Sequence, residues 1–259
     1  MSDSTVKPIK TAKPDKGQNR LLSGIGGLFK IVVIGIAAIV VTVITAVATI
    51  LVIANLSDVQ ASREEHADLL EFMENLEPNT PSVSAFDAAM RQINPDFICW
   101  IRIDGINVDH PVVRGNDNEK YLHVSFAGEE NILGTLFMDY RNVGEFVPHI
   151  IIYGHNGRDG DMFGELWKFL DDEFLAAHNI ITIIVGDRII EYEIFSARIT
   201  DIHDPAYHLD FSAPGSFGAF LERNNAPPDA TQILTLSTCF GGEGGDERVI
   251  VQGALRYES

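Results

Sequence analysis

Cysteine is scarce in this chain: 259 residues hold two, Cys99 and Cys239. Two thiols cannot build a multi-bridge disulfide framework, and neither lies in a CxxC pair or a Cys/His spacing that would ligate structural zinc. Basic residues are also few, 19 against 37 acidic, for a formal net charge of −18. Six of the 19 (Lys7, Lys10, Lys13, Lys16, Arg20 and Lys30) fall in the first 30 residues, leaving 13 basic against 35 acidic and a net of −22 beyond them. Nucleic-acid affinity comes largely from Lys and Arg neutralising phosphates, so so acidic a body excludes nucleic acid as a partner. There is no internal repeat and no low-complexity segment beyond the N-terminal tail. No motif calls for a cofactor or a metal.

One long hydrophobic run is present. Residues 31–54 are 24 consecutive uncharged positions dominated by Ile, Val and Ala. As a helix at about 1.5 Å per residue they span roughly 36 Å, against a bilayer core of about 30 Å. The basic cluster precedes the run, so the positive-inside rule leaves the N-terminus cytoplasmic and the rest outside, a single-pass type II arrangement. Ala46-Val47-Ala48 resembles a signal-peptidase site. The run continues through Ile50 to Ile53, however, and exceeds the roughly 7–15 residues of a secretory core, which favours a retained anchor. No second such run follows, so the C-terminus is expected to stay free.

The chain therefore divides into a basic, disordered cytoplasmic tail over 1–30, a transmembrane anchor over 31–54, N-terminal helices and linker over 57–92, and a catalytic domain over 93–259. Residues 57–77 place Leu69, Leu70, Met73 and Leu76 among charges at near-helical spacing. Pro78 to Pro81 break that helix, and Ser84 with Asp87 three residues later reads as the capped start of a second. From Asp96 the pattern turns to short β-rich runs: 97–103, 108–113, 135–139, 149–153, 180–185, 189–200, 232–238 and 248–255. Eight strands at this spacing predict a closed or nearly closed barrel, a mostly-β fold with added helices over 162–178 and 212–224.

The chemistry-bearing residues cluster around two glycine-rich turns. The runs 232–239 and 248–255 flank a loop with four glycines, which reads as a hairpin bringing Cys239 and Arg248 to its two sides. Period-two alternation puts Cys239 on the face of Ser237 and Thr235, a polar face unlike the site of a core thiol. A guanidinium beside a thiol favours the thiolate or donates to an oxyanion. Among eight histidines, His155 is best placed as acid or base, because it follows the run 149–153 inside Gly154-His155-Asn156-Gly157. Taken singly these signals are weak: a lone Cys is usually a small buried hydrophobe, a loop His a solvated turn residue, and an Arg opening a strand a surface charge. His203-Asp204 with His208 and Asp210 reads as a solvated connection, and Asp159-Gly160-Asp161 as a turn lacking the rest of a calcium loop.

Together, Thr235-Leu236-Ser237-Thr238-Cys239, an Arg opening the next strand, and Tyr153-Gly154-His155-Asn156 resemble the signature of the sortase family. Asn94-Pro95-Asp96 with Trp100-Ile101, Pro111-Val112-Val113 with Asp117-Asn118 and Tyr121-Leu122, the stretch Gly134 to Asp139 with Arg141-Asn142, and Met162-Phe163 are similar to class B members. The resemblance spans about residues 60–257. It implies an eight-stranded sortase barrel with N-terminal helices and an extra helix before the cysteine strand, onto which 212–224 falls. It also implies cleavage of a C-terminal sorting motif after Thr by Cys239, through a thioacyl intermediate that a cell-wall amine resolves. His155 would be the acid/base and Arg248 would hold the substrate carbonyl or its oxyanion, beside a groove lined by Asn118, Leu122, Ser237 and Thr238. The implied partners are the sorting-signal peptide of surface proteins and a peptidoglycan-precursor or pilin amine; no cofactor is implied, and a monomer is expected.

Two positions depart from the family pattern. Phe240 follows the nucleophile where relatives often carry a polar or acidic residue, and Cys99 precedes Trp100 where Gly is common. A Cys99–Cys239 disulfide would silence the site, but nothing in the strand order brings the two together. Three alternatives stand beside cell-wall anchoring. A pilus-assembling sortase would use a pilin lysine, although class C pilus enzymes commonly carry a lid and a C-terminal span not evident here. A papain-type Cys-His hydrolase would begin a helix at its cysteine, whereas Cys239 ends a strand. A tethered binding domain would not need Cys, His and Arg together.

Overall fold

The computed structural model describes residues 16–76, 83–144, 147–240 and 245–258, the side chains of residues 16–32, 72–76, 83–85 and of Arg158 excepted. Two units separate, 1–55 and 56–259. Helix α1 covers Lys16–Leu76, so it already includes residues 16–30 of the stretch expected as a disordered tail; residues 1–15 lie outside the described residues. Over Val33–Glu71 the helix is long and apolar enough to cross a membrane, and Ile34, Val41, Ile44, Ile50 and Ile53 are all exposed on it.

The second unit is a closed eight-stranded barrel: β1 Phe97–Ile103, β2 Val108–Val113, β3 Leu136–Met138, β4 His149–Tyr153, β5 Ile180–Val185, β6 Arg188–Asp201, β7 Ile233–Cys239 and β8 Glu247–Glu258. Its order around the barrel is β1-β2-β3-β4-β7-β8-β6-β5. Ladders β2–β3 and β4–β7 are parallel and the other six antiparallel. These segments are strands because they are runs of β-branched and aromatic residues cut by turn residues. Gly186, at φ +56°, closes the two-residue β5–β6 hairpin in the left-handed region that an L side chain avoids.

The barrel interior is filled by Ile101, Ile103, Leu136, Ile152, Leu236 and Val251, each at most 1% exposed. Helix α2, Val83–Ile93, sets Phe86 and Met90 one turn apart on one face. They pack with Leu69 of α1 against Phe97 and Trp100, making a second apolar cluster outside the barrel wall. Residues 77–82, expected to break the chain between these helices, lie outside the described residues. The helical stretch expected over 162–178 is split into a 3-10 turn at Leu166–Leu170 and helix α3, Asp172–Ala177, restarted where Asp171 accepts from Phe174 N. Helix α4, Ser216–Arg223, lies inside the expected 212–224 and buries Phe220 and Leu221 against Ile233.

Candidate active site

The site is built at one end of three neighbouring strands. β4 and β7 run parallel with Tyr153 opposite Ser237, and Gly154 N donates to Ser237 O at 3.2 Å. His155 and Cys239 each lie two residues further on, so both leave the sheet at the same end. Gly154 is a glycine because a Cβ there would run into Leu136 and Phe163. On the other side of β7, Cys239 is paired directly with Arg248 of β8. The adjacent Phe240 N donates to Glu247 O, which makes Cys239/Arg248 a non-hydrogen-bonded pair, the kind with Cα atoms about 4.5 Å apart and side chains closest. The hairpin expected around these two residues is therefore present in register; residues 241–244 of its loop lie outside the described residues.

His155 is partly buried, and its Nε2 lies 2.7 Å from the Leu122 carbonyl oxygen. A carbonyl only accepts, so Nε2 carries a hydrogen and Nδ1 is the nitrogen left to give or take a proton. The Arg248 guanidinium folds over its own hairpin, Nη1 donating to Gly245 O at 2.7 Å and Glu247 O at 2.8 Å. Cys239 is partly exposed and free. Cys99 is also free but buried inside the barrel, and that burial pushes its thiol up to about 12. β1 and β7 are not neighbours, and no bridge joins the two sulfurs.

The four expected groove residues divide. Asn118 is held by donating to Asp139 Oδ2 at 3.0 Å and accepting from Tyr140 N at 3.0 Å. Leu122 reaches the site through its carbonyl. Ser237 shares the Cys239 face but is buried, its Oγ bonded to Tyr207 Oη at 2.8 Å. Thr238 lies on the opposite face, that of Leu234 and Leu236, and so points into the barrel with Oγ1 buried and without a partner. It does not share the face of Cys239.

Other parts of the site emerge from long-range pairing. The fully buried Asp139 carboxylate collects Asn118, Arg141 and Tyr153. Burial alone would raise its pKa, but the hydrogen bonds from Arg141 and Asn118 outweigh that and hold it below the usual carboxylate range. Tyr153 stacks on Tyr207 at 6.5 Å, and Tyr207 is in turn bonded to Ser237, so a polar and aromatic band runs from Asp139 beneath the strand ends. Tyr207 comes from the 3-10 turn Pro205–Tyr207, where Asp204 accepts from Ala206 N and pairs with Arg198 at 2.8 Å. The His208 ring contacts the Asp210 backbone. This segment is a structured connection. Asp159, at φ +58°, is the turn residue of the segment after His155.

Comparison with known proteins agrees with this geometry. A family model described as the sortase domain matches residues 101–256. Sortase B of Listeria monocytogenes is 33% identical over 177 residues, covering 64% of this chain and 72% of its own length. The crystal structure of Clostridium perfringens sortase B is 29% identical with a TM-score of 0.61, covering 66% of this chain and 99% of its own. A Staphylococcus aureus sortase B–substrate complex is 26% identical with a TM-score of 0.67, covering 75% and 97%. An eight-stranded barrel of this order, a free cysteine closing its seventh strand and a sortase model matched over most of that barrel together establish that the chain belongs to the sortase family of cysteine transpeptidases and is class B-like.

Proposed function

We propose that Cys239 is the nucleophile, that His155 is the acid/base and that Arg248 holds the developing oxyanion, on a sorting-signal peptide whose acyl part passes to an amine. The observation that carries this reading is the shared exit of β4 and β7 beside the Cys239–Arg248 cross-strand pair. The Cys239 thiol passes its proton to His155 Nδ1 as its sulfur attacks the carbonyl carbon after which the peptide is cut, and the carbonyl oxygen takes up negative charge. Arg248, released from the carbonyls of Gly245 and Glu247, supplies donors for that charge. As the amide C–N bond breaks, the imidazole gives a proton to the leaving amine, and the acyl group remains on sulfur as a thioester. The incoming amine then loses a proton to the same imidazole, forms an amide bond and frees the thiol.

Asn118 and the Leu122 segment border the peptide groove. Ser237 acts from beneath it through Tyr207. The apolar stretch at 31–54 anchors the chain, with residues beyond it on the outer side and the basic segment before it inside. A cell-wall precursor amine is the proposed acceptor. The test is turnover of a panel of fluorogenic sorting peptides by the full chain in detergent, with and without added amine, beside Cys239→Ala. Amine-dependent product that disappears in the variant is expected. Cleavage indifferent to amine would make the chain a hydrolase, and product retained by Cys239→Ala would remove the nucleophile.

A further inference from the structure

Residues 62, 63 and 65 of α1, within the second unit, reach two separate segments that meet at His155. The first is the loop after Leu122. Ser62 Oγ donates to Asn131 Oδ1 at 2.6 Å, Asn131 N donates to His123 O at 2.9 Å, and Glu65 Oε1 accepts from Ala127 N at 2.9 Å. These bonds brace the chain that carries the Leu122 carbonyl against His155 Nε2. The second is the loop 155–163, which starts at His155 itself. It closes on itself where Phe163 N donates to His155 O at 3.0 Å and Asn156 bridges Met162.

Arg63 grips that second loop. Its Nε donates to Asp161 Oδ1 at 3.1 Å and its Nη2 to Asp161 Oδ2 at 2.8 Å, a two-pronged fork, and Nη2 also reaches Asp159 Oδ2 at 3.2 Å. The Asp161 side chain is 13% exposed and that of Asp159 80%, so the fork on Asp161 is the sheltered, directional contact. Gly157 lies against Asp161 so closely that a Cβ would collide with it, which ties the position of Asp161 to the backbone two residues from the His155 ring.

We propose that Arg63 is a positioning residue for transpeptidation: through Asp161, and with Ser62 on Asn131, it holds the two segments that aim the His155 imidazole. The inference rests on the reading of His155 as acid/base. Catalysis of this kind is sensitive to small displacements, a misplacement of about 1 Å costing up to about a hundredfold in rate.

The experiment uses the full chain in detergent micelles, with steady-state transpeptidation measured across pH for Arg63→Gln, Arg63→Lys, Arg63→Asp, Asp161→Arg and the Arg63→Asp/Asp161→Arg swap, beside His155→Ala. Arg63→Gln is expected to lower kcat by about tenfold with KM within about twofold, and to move the imidazole limb of the pH profile by about half a unit. Lysine keeps the charge without the fork and is expected to recover only part of the rate. The charge swap is expected to regain at least about threefold over Arg63→Asp. Unchanged kcat and pH limbs in Arg63→Gln, or a loss that tracks the thermal midpoint and that the swap does not relieve, would overturn the positioning role. Activity retained by His155→Ala would instead overturn the acid/base reading on which it rests.

Discussion

Asp139→Asn perturbs the carboxylate that accepts the most hydrogen bonds among the described residues. Asp139 accepts from Asn118 Nδ2 at 3.0 Å, from Arg141 N at 2.9 Å, Nε at 2.9 Å and Nη2 at 2.7 Å, and from Tyr153 Oη at 3.0 Å. Asparagine keeps one accepting oxygen and turns the other into a donor. With its oxygen kept toward Arg141 N and Nε, the new NH2 faces Asn118 Nδ2, Arg141 Nη2 and Tyr153 Oη, three donors. Breaking a buried ion pair costs about 3–5 kcal/mol, but Arg141 is 48% exposed and can turn to water, which brings the expected loss to about 3 kcal/mol. For a body of this size that lowers the thermal midpoint by about 6–12 °C, readable by calorimetry on the full chain in detergent. Arg141→Gln leaves Asn118, Tyr153 and the backbone N–H on the carboxylate and is expected to cost less, about 1–2 kcal/mol. In the transpeptidation assay the peptide KM should rise in Asp139→Asn, because Asn118 loses the partner that orients it. A midpoint within about 2 °C of the parent chain, or Arg141→Gln proving the more damaging, would refute the reasoning.

Iodoacetamide should label Cys239 in the folded chain and spare Cys99, whose buried thiol is pushed up to about 12; peptide mapping that finds Cys99 alkylated first contradicts this. Stability should fall with acid earlier than carboxylates alone would allow. Burial lowers His110 to about 3 and His149 to about 4, against an unfolded value near 6.5. Both are neutral in the fold, so the stability is intact above about 6.5 and erodes below it as the unfolded chain gains protons, about 2 kcal/mol for each imidazole by pH 5. Denaturant midpoints that stay flat between pH 7 and pH 5, or no relief on replacing His149 by Gln, would contradict that.

The strands could be read from sequence because each is a short β-branched run bounded by turn residues; four of the eight have the expected limits to the residue. The Cys239–Arg248 pairing was legible for a different reason: a hairpin is local, so proximity follows from loop length. The place of His155 depends on β4 lying parallel beside β7, a pairing over about eighty residues that no local pattern specifies. For the same reason the Leu122 carbonyl and the Asp139 node were hidden, the first being backbone and the second a meeting of three segments. Thr238 is different, because alternation from Cys239 already assigns it to the inner face. The start of α1 at Lys16 could not be seen because the tail lacks apolar periodicity, and the 162–178 stretch divides because Asp171 caps a new helix in its middle.

The central claim is that a thioester forms on Cys239 at the common end of β4, β7 and β8. The direct measurement is intact-mass and peptide-level mass spectrometry of the full chain quenched during a single turnover with a sorting peptide, before and after an amine is added. The account predicts an increment equal to the peptide's N-terminal fragment, carried by the Cys239 peptide and discharged by the amine. An increment on any other residue, or turnover that proceeds while Cys239 never carries one, would contradict it.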